Sequence, residues 1–134
     1  MVYWSNGLVP TAHAVSEFTT TFNSLYTIEK SGITNVTHTI TLKNNLTHIY
    51  ATSYTIATSG DKIEGIVASD ETGIISNSTT VQNGITTIEL TIPRPAIGKD
   101  QMKTITLNYQ TNDVVEIIGG TTTINIPRLA RANE

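Results

Sequence analysis

From Glu17 onward, apolar and polar side chains alternate with a period of two, and turn residues interrupt the alternation roughly every ten positions. Such a pattern predicts half-buried β-strands. The clearest runs from Ile33 to Lys43, where Val36, His38, Ile40 and Leu42 share one face while Asn35, Thr37, Thr39 and Thr41 share the other. Further strands are expected over Thr19–Glu29, His48–Thr58, Lys62–Ala68, Thr79–Gln82, Ile85–Ile92, Met102–Thr111 and Thr121–Ile126. Asn83-Gly84 predicts a two-residue type I′ hairpin, because both residues accept the positive φ this turn requires.

Pro93-Arg94-Pro95 lacks a backbone donor at each proline, so it ends a strand and opens a long connection through Gly98 and Asp100, suited to a crossover between sheets. Asp113 reads as the cap of one helical turn, Val114 to Ile118, closed by Gly119-Gly120. Many short strands with regular turns predict an antiparallel two-sheet sandwich, immunoglobulin-like or related, of about seven to nine strands. Val36, Ile40, Leu42, Ile56, Ile88, Leu90, Ile105, Leu107 and Ile126 are its expected core.

Composition strengthens this reading. The 25 threonines and 18 isoleucines are β-branched, which favours a pleated sheet over a helix. At 134 residues the chain suits one domain. Only 14% of residues are charged, so Thr, Ser and Asn must solvate the surface, as suits a secreted or wall-exposed protein. A net charge of −3, with eight scattered Lys and Arg, argues against nucleic acid as a partner. The absence of cysteine excludes disulfides, a thiolate nucleophile and sulfur-ligated zinc. No run approaches the roughly 18 apolar residues of a spanning helix.

Residues 1–14 differ in texture, with Trp4, Leu8 and Val9 leading into Pro10 and Ala12-His13-Ala14. Ala12 and Ala14 meet the small-residue rule for signal peptidase, although a basic n-region and a full h-region are missing. The expected organisation is therefore a signal remnant or mobile tail over 1–14, the sandwich over 15–128, and a linker over 129–134. Ordering of the apolar tail would instead make it a strand for a sheet edge, its own or a second copy's, and so a route to a homo-oligomer.

The chemical inventory is sparse. His38 and His48, on strands that a hairpin would make neighbours, could face each other across a metal, but a zinc site needs about three protein ligands and no carboxylate lies near them in sequence. The favoured reading is ordinary hydrogen bonding. Asp61, Glu64, Asp70, Glu71, Asp100 and Asp113 fall on separate turns, unlike the single ligand-rich loop of a calcium site. Asp70-Glu71-Thr72-Gly73 reads as a plain turn. Tyr26, Tyr50, Tyr54 and Tyr109 would suit a sugar-stacking platform, yet their register with Ile and Leu favours core packing with the hydroxyl at the rim. The glycosylation patterns at Asn35, Asn45 and Asn77 are expected by chance in so Asn- and Thr-rich a chain. Catalytic, cofactor-binding and metal-binding residues are accordingly all expected to be none.

Glu17-Phe18-Thr19-Thr20, Tyr50-Ala51-Thr52-Ser53-Tyr54, Val67-Ala68-Ser69-Asp70, Ile97-Gly98-Lys99, Tyr109-Gln110-Thr111 and Ile124-Asn125-Ile126-Pro127-Arg128-Leu129 together cover much of the chain. In that order they resemble the domain that precedes the transglutaminase-like, papain-fold domain in surface proteins of candidate-phylum bacteria. The resemblance implies a non-catalytic, extracytoplasmic spacer or recognition module whose partner is a protein or glycan, with the enzymatic Cys, His and Asp in a following domain. A self-assembling surface or filament subunit is the alternative expectation, and a metal enzyme built on His38 and His48 is a more distant one.

Overall fold

A computed structural model describes residues 16–127 and 129–131. The expectation for residues 1–14 lies outside them. The chain folds as the expected antiparallel β-sandwich. One sheet contains β1 (Phe18–Ile28), β2 (Thr34–Asn44), β4 (Ile63–Asp70), β5 (Gly73–Ile75) and β8 (Met102–Thr111), in the order β1-β2-β8-β4-β5. The other contains β3 (Ser53–Ser59), β6 (Asn77–Gln82), β7 (Ile85–Thr91) and β11 (Leu129–Arg131), in the order β11-β3-β7-β6. These are nine sandwich strands, joined by a separate ribbon of β9 (Val115–Ile118) and β10 (Thr121–Ile124).

Alternation decides which face each strand buries. Every second residue of β2 is buried from Thr34 to Asn44, and β8 does the same from Lys103 to Thr111. Val36, Ile40, Leu42, Ile105 and Leu107 from the five-stranded sheet meet Ile56, Ile88 and Leu90 from the four-stranded sheet in one core. Eight of the nine expected core residues therefore belong there. Ile126 does not, being 61% exposed, because it follows β10, which belongs to the separate ribbon and is exposed along its whole length.

The helical turn expected at Val114–Ile118 is a strand instead. Gly119 and Gly120 have φ of 56° and 81°, and Ile118 stands opposite Thr121, so the glycines turn a hairpin rather than close a helix. Asn83 and Gly84, at φ 53° and 73°, form the expected positive-φ hairpin between β6 and β7. The prolines likewise mark the expected crossover, with β7 in one sheet and β8 in the other. The domain extends past the boundary drawn at 128, since Leu129–Arg131 pairs with β3 and Leu129 packs on the core. That segment is not simply a linker.

Buried Asn44, at the end of β2, pins this crossover. Its side-chain nitrogen donates to Ala96 O at 2.6 Å and Gly98 O at 3.1 Å, while the backbone N–H of Asp100 donates to Asn44 O at 2.8 Å. Two carbonyls that the prolines leave without a strand partner are thereby satisfied.

Candidate functional site

Three places collect side chains with chemical potential. The first is His38, fully buried on β2. Its Nδ1 lies 2.8 Å from the Ser24 hydroxyl on β1, directly opposite in register, and its Nε2 lies 2.8 Å from the Tyr109 hydroxyl on β8. The Tyr26 ring meets the imidazole edge-on at 6.0 Å.

A serine against an imidazole is half of a nucleophilic pair, but the rest of this chain is tuned otherwise. Burial pushes the His38 pKa down to about 4, and burial foremost raises that of Tyr109 to about 12. A base that weak takes a serine proton poorly near neutrality, and a neutral phenol gives an imidazolium none of the support a carboxylate would. The Ser24–His38–Tyr109 chain is a polar staple across three strands. His48 is elsewhere, exposed in the loop before β3, so the structure does not bring the two histidines together. Tyr109 is buried and Tyr26 and Tyr54 pack on the core as expected, but the hydroxyls of Tyr109 and Tyr54 are buried rather than at the rim, and Tyr50 is 51% exposed because β3 starts only at Ser53.

The second place is Lys103, whose side chain is 5% exposed on the inner face of β8. Its Nζ lies 2.7 Å from Asp70 Oδ2 and 2.8 Å from Glu71 Oε1. Asp70-Glu71-Thr72-Gly73 is the expected turn, with the Thr72 N–H and hydroxyl donating to Asp70 Oδ1 at 2.8 Å and 2.6 Å. The ion cluster beneath it escaped the sequence reading. One signal was present: Lys103 keeps step with Ile105, Leu107 and Tyr109, and a lysine on a core-facing register needs a buried counter-ion.

The third place is the outer face of the five-stranded sheet. Register sets Asn23, Thr39, Thr106 and Ser69 in one row, and Thr21, Thr41 and Thr104 in the row on one side of it. Leu25, Thr37, Asn108 and Val67 make the row on the other side. These rows hold no charged side chain. Thr37 donates to Asn108 Oδ1 at 2.7 Å and Thr41 meets Thr104 at 3.3 Å, so neighbouring strands are also laced through their side chains. Along the margin, β1 pairs only with β2 among the described residues. The chain matches no protein-family model and none of the curated proteins.

Proposed function

We propose that this chain is a non-catalytic β-sandwich module that works outside the cytoplasm, as a spacer or recognition domain ahead of a transglutaminase-like domain. The observation that carries this reading is the band of three uncharged, mainly Thr and Asn rows on this face, four strands wide where the rows are longest and flanked by rows that hold Lys43 and Glu64. Each threonine offers a hydroxyl that both donates and accepts, next to a methyl group. Repeated at strand spacing, about 4.8 Å apart across the sheet, these groups suit a neutral polyhydroxylated partner better than a charged one. A glycan contact through many weak bonds follows. The place ahead of a transglutaminase-like domain is supported by the sequence stretches that resemble that family, from Glu17 to Leu129.

The test is methyl NMR of the threonine-labelled chain, titrated with a neutral polysaccharide and separately with a polyanionic one. Shifts confined to Thr21, Thr39, Thr41, Thr104 and Thr106 with the neutral polymer are expected. Shifts only with the polyanion, or none with either, overturn the glycan reading.

One observation favours the assembly alternative. β1 is 11 residues long, is outermost in its sheet among the described residues, and contains neither proline nor a charged residue, the devices that usually keep such an edge from pairing. Sedimentation velocity over a wide concentration range separates the two: a constant monomer supports the recognition module, and progressive growth supports the subunit.

A further inference from the structure

We propose that Lys103 and Asp70 condense into an intramolecular isopeptide cross-link, with Glu71 carrying the proton and Thr72 holding the developing oxyanion. The geometry of the cluster assigns each role. Asp70 is fully buried at its side chain and Lys103 nearly so, which removes the water that would compete for both groups. The two oxygens of Asp70 are treated differently. Oδ1 accepts two hydrogen bonds from Thr72, from its N–H and its hydroxyl, as an oxygen does when it must carry charge in a tetrahedral intermediate. Oδ2 is buried and lies only 2.7 Å from Lys103 Nζ. With Oδ1 held by both Thr72 donors, Oδ2 is the oxygen left to depart.

The step balances without an external reagent. Glu71, at 2.8 Å, takes a proton from the Lys103 ammonium, and the freed amine attacks the Asp70 carboxyl carbon. The C–N bond forms as the carboxyl π-pair moves onto Oδ1. Collapse of that intermediate restores the C=O bond and breaks the bond to Oδ2. Oδ2 departs as water, taking the proton held by Glu71 and the second proton of the nitrogen. Ammonium plus carboxylate becomes amide plus water, with no net change in protons, electrons or charge.

The resting pair is ionic. Contact with Lys103, ahead of donation from Thr72, holds the Asp70 carboxyl well below the usual carboxylate range. Burial pulls the Lys103 ammonium down, but Asp70 and Glu71 together outweigh it and leave it above its ordinary value. Proton transfer out of this pair is therefore the slow part, and the cross-link forms after folding rather than during it. Fixed proximity offsets that barrier, as it does for well-oriented intramolecular reactions generally. The product replaces two buried charges by one amide, and ties the end of β4 to the start of β8 in a chain with no cysteine to do the same.

Intact-mass spectrometry of the purified full chain, followed through prolonged incubation in the folded state, decides the matter. The expected result is a species one water lighter than the sequence mass, with a proteolytic fragment in which the Asp70 peptide is joined to the Lys103 peptide. A folded chain that stays at full mass, with Lys103 still free to amine reagents under denaturation, overturns the proposal. In Asp70→Asn the same amide would form with loss of ammonia instead of water, so a mass decrement that followed this substitution would fix the leaving group. Glu71→Gln changes only a largely exposed side chain of the turn and is expected to keep the fold and remain at full mass. Loss of water from that variant at the wild-type rate would remove Glu71 from the mechanism.

Discussion

His38 Nε2 lies 2.8 Å from the Tyr109 hydroxyl, placing a buried base and a buried phenol on adjacent strands in one shared hydrogen bond. Burial of that imidazole makes folding sensitive to acid. The His38 pKa falls from 6.5 to about 4 on folding because burial disfavours the imidazolium. Below 6.5 the unfolded chain binds a proton that the folded chain refuses, so stability is complete above that value and falls as pH drops towards 4. The full loss is on the order of 3 kcal/mol. Urea midpoints measured across this window should fall with pH in the wild type and flatten in His38→Gln. An equal slope in both would assign the acid sensitivity to other groups; Asp70, held low by Lys103 and Thr72, loses its contribution only further down.

Leu107 and Ile126 test the inner and outer assignments against each other. Leu107 is wholly buried between the sheets, so Leu107→Ala should cost about 2–5 kcal/mol in lost transfer energy and cavity. Ile126→Ala, at an exposed position, should stay within about 0.5 kcal/mol. Comparable losses at both positions in denaturant titrations would contradict this placement of the chain after β10.

How much of this was legible in sequence depends on whether local signals agreed. In β2 alternation, composition and turns point one way, and the face carrying Val36, His38, Ile40 and Leu42 is the buried one. Around Asp113 two local signals compete: an acidic residue before Val114 and a Gly-Gly pair fit both a capped helix and a hairpin. Only the pairing of Val115–Ile118 with Thr121–Ile124 decides between them. Alternation also cannot say which strand ends a sheet, so the outermost place of β1 among the described residues was hidden in a pattern much like that of β2. Lys103 was visible as a cation in core register, but its meeting with Asp70 depends on how β4 lies against β8, a tertiary fact with no local trace.

Gly60 is held to glycine by two constraints that can be separated. Its φ is +115°, and a Cβ there would lie 2.8 Å from Asp113 Oδ2, the atom that accepts the Lys62 N–H. Gly73 has a similar φ, +125°, but a Cβ there would have nothing within 4 Å. Gly73→Ala thus reports backbone strain alone, about 1–3 kcal/mol. Gly60→Ala should cost at least about 1 kcal/mol more, because the clash also displaces a hydrogen-bonded carboxylate. Thermal melts of the two variants make the comparison, and equal melting temperatures would mean that Asp113 moves aside freely.

Asn44 gives the sharpest contrast between two substitutions of nearly the same shape. It is 2% exposed, and its side-chain nitrogen faces two carbonyl oxygens, Ala96 O and Gly98 O. Asn44→Ala removes the donor and leaves Ala96 O short of a partner, while Gly98 O keeps the Gln101 N–H at 3.3 Å, which should cost about 1–3 kcal/mol. Asn44→Asp keeps the volume but turns a donor into a charged acceptor aimed at acceptors, so near neutral pH it should be the more destabilising of the two. The sign of its pH dependence follows. The carboxyl introduced there is favoured in its protonated form, which restores one donor, so its folded pKa is raised. Relative to Asn44→Ala, the variant should gain stability as pH falls through that raised value. Denaturant titrations of both variants from neutral to mildly acidic pH measure this, with His38 common to the two and cancelling in the difference. If Asn44→Asp matched Asn44→Ala at every pH, the crossover carbonyls would be satisfied by something other than this side chain, and the pinning of the β7–β8 connection by β2 would have to be abandoned.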